Sequence, residues 1–109
     1  MQIFFTDENL AVLCTQERVA KKQLGAPSAK YLRRRLADLA AAANPTELVA
    51  GRPHVLKGER AGQMALNLHG GDRLCFRPLQ EPPAATDDGG IDWVAVTDIL
   101  IVSVGDYHD

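Results

Sequence analysis

The sequence predicts one α+β domain: a short N-terminal strand, a hairpin of two amphipathic helices, and three further strands completing a small, mainly antiparallel sheet. Two observations carry this. Apolar residues recur at three and four positions across residues 29–43, then alternate from residue 63 onward. The breakers Asn44-Pro45 and Gly70-Gly71 fall where the period changes or the chain reverses. With 109 residues, 46% of them hydrophobic and 24% charged, the chain can build one core and has no room for a second, so residues 1–109 are read as a single domain.

Residues 2–5, Gln-Ile-Phe-Phe, form the first strand. Thr6-Asp7-Glu8 then opens a helix, because the Thr6 hydroxyl can accept an unpaired N–H of the first turn while the two acids face the positive end of the helix dipole. This helix is expected to run to about Leu24, with Leu10, Leu13, Ala20 and Leu24 on one stripe. Gly25 stops it and Pro27 opens a second helix, in which Ala29, Leu32, Leu36, Leu39, Ala40 and Ala43 repeat at helical spacing. The short connection between them predicts an antiparallel hairpin. Residues 44–61 read as a loop. Met64, Leu66 and Leu68 then alternate with Gln63, Ala65, Asn67 and His69, and beyond the diglycine Leu74 and Phe76 alternate with Arg73, Cys75 and Arg77. That is a two-strand hairpin with one apolar face for the helices and one polar face. Residues 80–90, rich in Pro, Ala, Asp and Gly, read as a loop, and residues 96–104, apolar at both parities, as a central strand covered on both sides.

Composition narrows the function classes. It excludes a disordered chain, a collagen-like repeat and a disulfide-stapled miniprotein. A net charge of −2 argues against a general histone-like nucleic-acid binder. The charge is unevenly distributed, however: residues 1–79 hold all twelve basic side chains and seven acids, a net of +5, whereas residues 80–109 hold seven acids and no Lys or Arg. Cys14 and Cys75 are far apart in apolar runs, as expected of buried thiols in a reducing cytoplasm. There is no basic stretch followed by an apolar one near the start and no apolar run of the ~18–20 residues that would span a bilayer, so a cytoplasmic location is expected.

Two segments concentrate chemistry: residues 54–62, His-Val-Leu-Lys-Gly-Glu-Arg-Ala-Gly, and the terminal Asp106-Tyr107-His108. Together they offer two imidazoles, a phenol and two cations. Metal-free cleavage of RNA by its own 2′-hydroxyl needs a base for that hydroxyl, an acid for the leaving 5′-oxygen, and fixed positive charge on the phosphate. Histidine as a class titrates near neutrality and serves as acid or base, and Lys and Arg stabilise charge on phosphoryl oxygens. Taken singly, each residue has a plainer reading. His54 would be an ordinary loop residue, Lys57 and Arg60 surface cations beside a glycine, and Arg33-Arg34-Arg35 a solvated helix face. Arg73 and Arg77 are more informative, since alternation puts them on the polar sheet face with Gln63 and Asn67. A metal site using His54, His69 and His108 is disfavoured, because His69 adjoins the diglycine turn and no H-x-x-x-H or carboxylate cluster accompanies it. No cofactor is expected.

The combination of His54 to Arg60, Gly62, the strand Arg73-Leu74-Cys75-Phe76 and Asp106-Tyr107-His108 resembles the RelE/ParE superfamily of toxins, and within it the HigB-like branch of plasmid-maintenance killer proteins. The resemblance covers nearly the whole chain, with Glu59 where that pattern usually carries Asp and with residues 80–92 as an acidic insertion. It implies the toxin of a type II toxin–antitoxin module, a ribosome-dependent endoribonuclease that cuts translated mRNA without a metal. By position, His54 would be a general acid or base. Asp106, Tyr107 and His108 would form the second catalytic cluster, and Lys57 and Arg73 would hold the scissile phosphate, with Arg60 as a weaker candidate; Arg77 is expected to contact RNA from its place on the polar sheet face. The implied partners are a helix-turn-helix antitoxin and the ribosome with its mRNA, with no membrane, and the toxin would be monomeric without its antitoxin. The alternative is a non-catalytic ParE-like toxin that binds DNA gyrase, a branch the Asp106-Tyr107-His108 ending does not resemble. In a regular strand Asp106 and His108 would face one side and Tyr107 the other, so a joint site requires a bend after Gly105.

Overall fold

The computed structural model describes residues 1–106. Its elements are β1 (Gln2–Phe5), α1 (Glu8–Thr15), α2 (Glu17–Leu24), α3 (Ala26–Ala41), β2 (His54–Val55), β3 (Met64–Asn67), β4 (Asp72–Pro78) and β5 (Asp98–Asp106), with short 3₁₀ turns in the connections. The strands form one sheet in the order β1-β5-β4-β3-β2. β1 runs parallel to β5 and every other pairing is antiparallel, so the class is α+β with a mixed sheet.

The expected first helix is two helices. Asp7, rather than Thr6, caps α1, its carboxylate accepting the Leu10 N–H at 2.8 Å. The helix ends where the Thr15 hydroxyl donates back to the Ala11 carbonyl at 2.7 Å, a local competition that bends or ends helices, and Gln16 is extended. α3 begins as expected, with Gly25 at φ 87° before it and Pro27 in its first turn. It stops at Ala41, short of Ala43, because Asn44 forms its own turn, its side chain accepting the Thr46 N–H at 2.9 Å, and a residue before proline disfavours the helical region. The predicted loop 44–61 contains an unforeseen strand. β2 is only two residues long, too short to show a period, and pairing supplied by the neighbouring strand defines it: His54 opposite Ala65 and Val55 opposite Met64.

The helices cover one face of the sheet. Leu10 and Leu13 of α1, Ala20 of α2, and Ala29, Leu32 and Leu39 of α3 pack with Met64, Leu66, Leu74, Phe76, Ile99 and Ile101 in one cluster. The β3–β4 hairpin has the expected alternation and pairs Asn67 with Arg73. β4 and β5 pair with a register shift at Cys75/Phe76, where β5 carries one extra residue. The helices cover one face of β5, not both as expected, and this bulge explains why Val104, of the opposite parity, joins Ile99 and Ile101 on that face. Ile99, Ile101 and, after the extra residue, Val104 pack against the helix-side core, while Val102 joins Leu56, Ala65 and Cys75 in a small cluster on the opposite, open face. The acidic loop returns to the main core through Trp93, whose ring meets Phe76 edge-on at 6.4 Å. Among the described residues, no helix is long and apolar enough to cross a membrane.

Phe76 is fully buried at the junction of helices, sheet and Trp93. Phe76→Ala should therefore cost about 3–5 kcal/mol in chemical denaturation, whereas Val49→Ala, at an 86% exposed position, should stay within about 0.5 kcal/mol. Burial pushes the Cys14 thiol up to about 12. The protonated thiol is the folded form, so its contribution to stability is complete below pH ~9 and declines toward the raised value. Cys14 is partly buried, unlike the buried Cys75, so at pH 8 it should be alkylated more slowly in native than in unfolded protein; equal rates in the two states would contradict the raised value.

Candidate functional site

The open face of the sheet bears a cleft of about 510 Å³ lined by Arg52, Pro53, His54, Asn67 and Arg73. Register explains the grouping. His54 lies opposite Ala65, Asn67 lies two residues farther along β3, and Arg73 is its partner on β4. Three neighbouring strands about 4.8 Å apart therefore place an imidazole, an amide and a guanidinium around one hollow.

The local backbone aims the imidazole. Asn67 donates its N–H to the Gly51 carbonyl at 2.7 Å, which anchors the segment entering β2. Arg52 then adopts φ 51°, an uncommon conformation for a residue with a Cβ and more so before proline. Its carbonyl lies 2.8 Å from His54 Nδ1. A carbonyl oxygen only accepts, so Nδ1 carries the hydrogen, leaving Nε2 as the nitrogen available for proton exchange. Asn67 Oδ1 is shielded from solvent and has no donor among the described residues, an acceptor that a water or ligand could satisfy.

The remaining predicted residues are spread along the same face. Arg60 Nη1 donates to Gln63 Oε1 at 3.1 Å and to Ser103 Oγ at 3.2 Å, so the 3₁₀ turn Gly58–Arg60 straps the open face from the β2 side across to β5. Lys57 is exposed at the start of that turn. Arg77 sits at the other end of β4, donating to the Pro78 carbonyl at 2.9 Å and to Glu81 at 3.0 Å, and is not brought into the cleft. The acidic loop meets Arg77 there, away from His54. Asp106 pairs with Asp72, one register step beyond the Arg73–Gly105 pair, and its carboxylate lies so close to Gly71 that a Cβ there would be 3.0 Å from Oδ1. Gly105, at φ 138°, has a backbone conformation that favours glycine, and β5 continues through it to Asp106; the bend expected after it concerns residues outside those described. Tyr107 and His108 lie outside the described residues.

Arg52 is a cleft residue that sequence reasoning passed over. The available signal was its place in Gly51-Arg52-Pro53, immediately before the histidine. Strand alternation puts Asn67 on the polar face without giving it a role. What the assembled groups can do is bind an anion between two guanidinium groups and exchange a proton with it through His54 Nε2.

Phosphate monoester titrated into the protein should therefore perturb the His54 ring resonances. Arg73→Ala should weaken that binding about 10–100-fold, the loss expected for one charge-assisted hydrogen bond. Equal affinity in wild type and variant would remove Arg73 from the anion site.

No family model matches the chain, and no curated protein matches it in sequence. Among solved structures it is similar to a YoeB/ParE toxin from Agrobacterium tumefaciens, at 16% identity over 99% of this chain and 100% of that chain, with a TM-score of 0.49.

Proposed function

We propose that this protein is the toxin of a type II toxin–antitoxin module and acts as a metal-independent endoribonuclease on translated mRNA. The observation that carries the reading is the pairing, in one cleft, of an imidazole with its Nδ1 anchored to a backbone carbonyl and two arginines suited to a phosphodiester. The resemblance of residues 54–62 and 106–108 to the HigB-like pattern supports the same chemistry.

In the proposed reaction Arg73, with Arg52 beside it, neutralises the non-bridging phosphate oxygens, and Lys57 adds charge from the rim. A base takes the proton of the ribose 2′-hydroxyl, and the 2′-oxygen forms a bond to phosphorus. The bond from phosphorus to the 5′-oxygen breaks as an acid protonates that oxygen, giving a 2′,3′-cyclic phosphate and a 5′-hydroxyl. His54 is one of the two proton-transfer groups, and the other comes from the cluster Asp106, Tyr107 and His108. Arg60 acts through the strap that shapes the open face. A helix-turn-helix antitoxin would cover this basic face, and the ribosome would supply the mRNA in the attacked conformation.

Expression in translating cells or lysate, with mapping of mRNA 5′ ends, tests the reading. The wild type should generate new ends within translated message, and His54→Ala should lower their rate of formation about 10²–10⁴-fold. Growth arrest with intact message and gyrase-dependent DNA damage would replace this reading with the non-catalytic one.

A further inference from the structure

We propose that Arg35, on α3 and outside the cleft, is a positioning residue that sets which ring nitrogen of His54 faces a ligand. Its side chain is 11% exposed although it sits in a run of three arginines that would ordinarily be a solvated helix face. Its guanidinium stacks over Tyr31 at 5.4 Å from the ring centre, and Nη1 approaches Asp38 at 3.7 Å on the same helix. Nε donates to the Asn67 carbonyl at 3.1 Å.

That carbonyl belongs to the residue whose N–H holds the Gly51 carbonyl. Gly51 is what lets the arginine lie there: a Cβ at this position would stand 2.5 Å from Arg35 Nε and 3.2 Å from the Asn67 carbonyl oxygen, and its φ of 85° already disfavours a side chain. Arg35 thus pins the Gly51–Asn67 pair from the helix side. The next residue is Arg52, held in its uncommon conformation, and its carbonyl receives His54 Nδ1–H. The chain of contacts runs from a helix through two backbone segments to one imidazole. Its neighbours differ in use, since Arg33 pairs with Glu17 at the surface and Arg34, exposed, lies over Tyr31 at 5.8 Å from the ring centre.

The geometric claim concerns the His54 tautomer alone; its effect on turnover rests on the ribonuclease reading. Full-length ¹⁵N-labelled protein examined by long-range proton–nitrogen correlation reports the tautomer at a pH where the ring is neutral, with His54→Asn identifying the signals. Wild type should show Nδ1–H. Arg35→Met should shift His54 toward Nε2–H while circular dichroism stays native, and should slow RNA cleavage about 10²-fold, as a misplaced reacting group does. Arg35→Lys, which keeps the charge and one donor, should restore part of both. A folded Arg35→Met with wild-type tautomer and turnover overturns the proposal. If that variant does not fold, Arg35→Lys with wild-type tautomer and turnover overturns it equally, because a lysine cannot reproduce the stacked guanidinium. A tautomer shift in a protein that cuts no RNA upholds Arg35 and removes the ribonuclease reading.

Discussion

The architecture hangs on the pairing of β4 with β5. β4 places Leu74 and Phe76 against the helices and Arg73, Cys75 and Arg77 on the open face, so one strand serves both the core and the candidate site. Its partner matches this only because of the extra residue in β5. Without that bulge, strict alternation would turn Val104 away from the helices once Ile99 and Ile101 faced them. Val102 faces the open side by simple alternation from Ile101 and with Leu56, Ala65 and Cys75 forms a small apolar seat there, while the irregularity brings Ser103 to the same face, where Arg60 meets it.

The open face is therefore divided rather than uniformly polar. At one end Arg73 joins Arg52, Asn67 and His54; at the other Arg77 is engaged by Glu81 of the acidic loop. The apolar seat and Arg60, tied to Ser103, lie between them. A chain with net charge −2 thereby keeps a locally basic cleft, because its acidic loop meets the sheet at the far end of β4.

Local conformational cost concentrates around this cleft. Arg52 occupies a left-handed conformation, and Asn67 Oδ1 is buried without a donor among the described residues. A chain selected for stability alone has no reason to keep either, and such departures cluster where a ligand is bound. Rigid neighbours hold them in place: β3 pairs on both sides, and α3 reaches across through Arg35.

The sequence by itself determined the α+β class, the helix stripe of α3 with its glycine and proline at the start, the β3–β4 hairpin with its alternation, and His54 and Arg73 as residues worth attention. These follow from periodicity and turn chemistry, which are local and survive in a string of letters. Tertiary structure decided the rest. The two-residue β2 exists only because β3 offers it a pairing edge. Arg73 and Arg77 share a parity and look equivalent in sequence, yet four residues of extended strand and the approach of Glu81 separate them. Arg35 looks like its two arginine neighbours until the glycine at position 51 and the Asn67 carbonyl draw it inward. Contacts between residues distant along the chain made each of these distinctions, and no spacing rule encodes them.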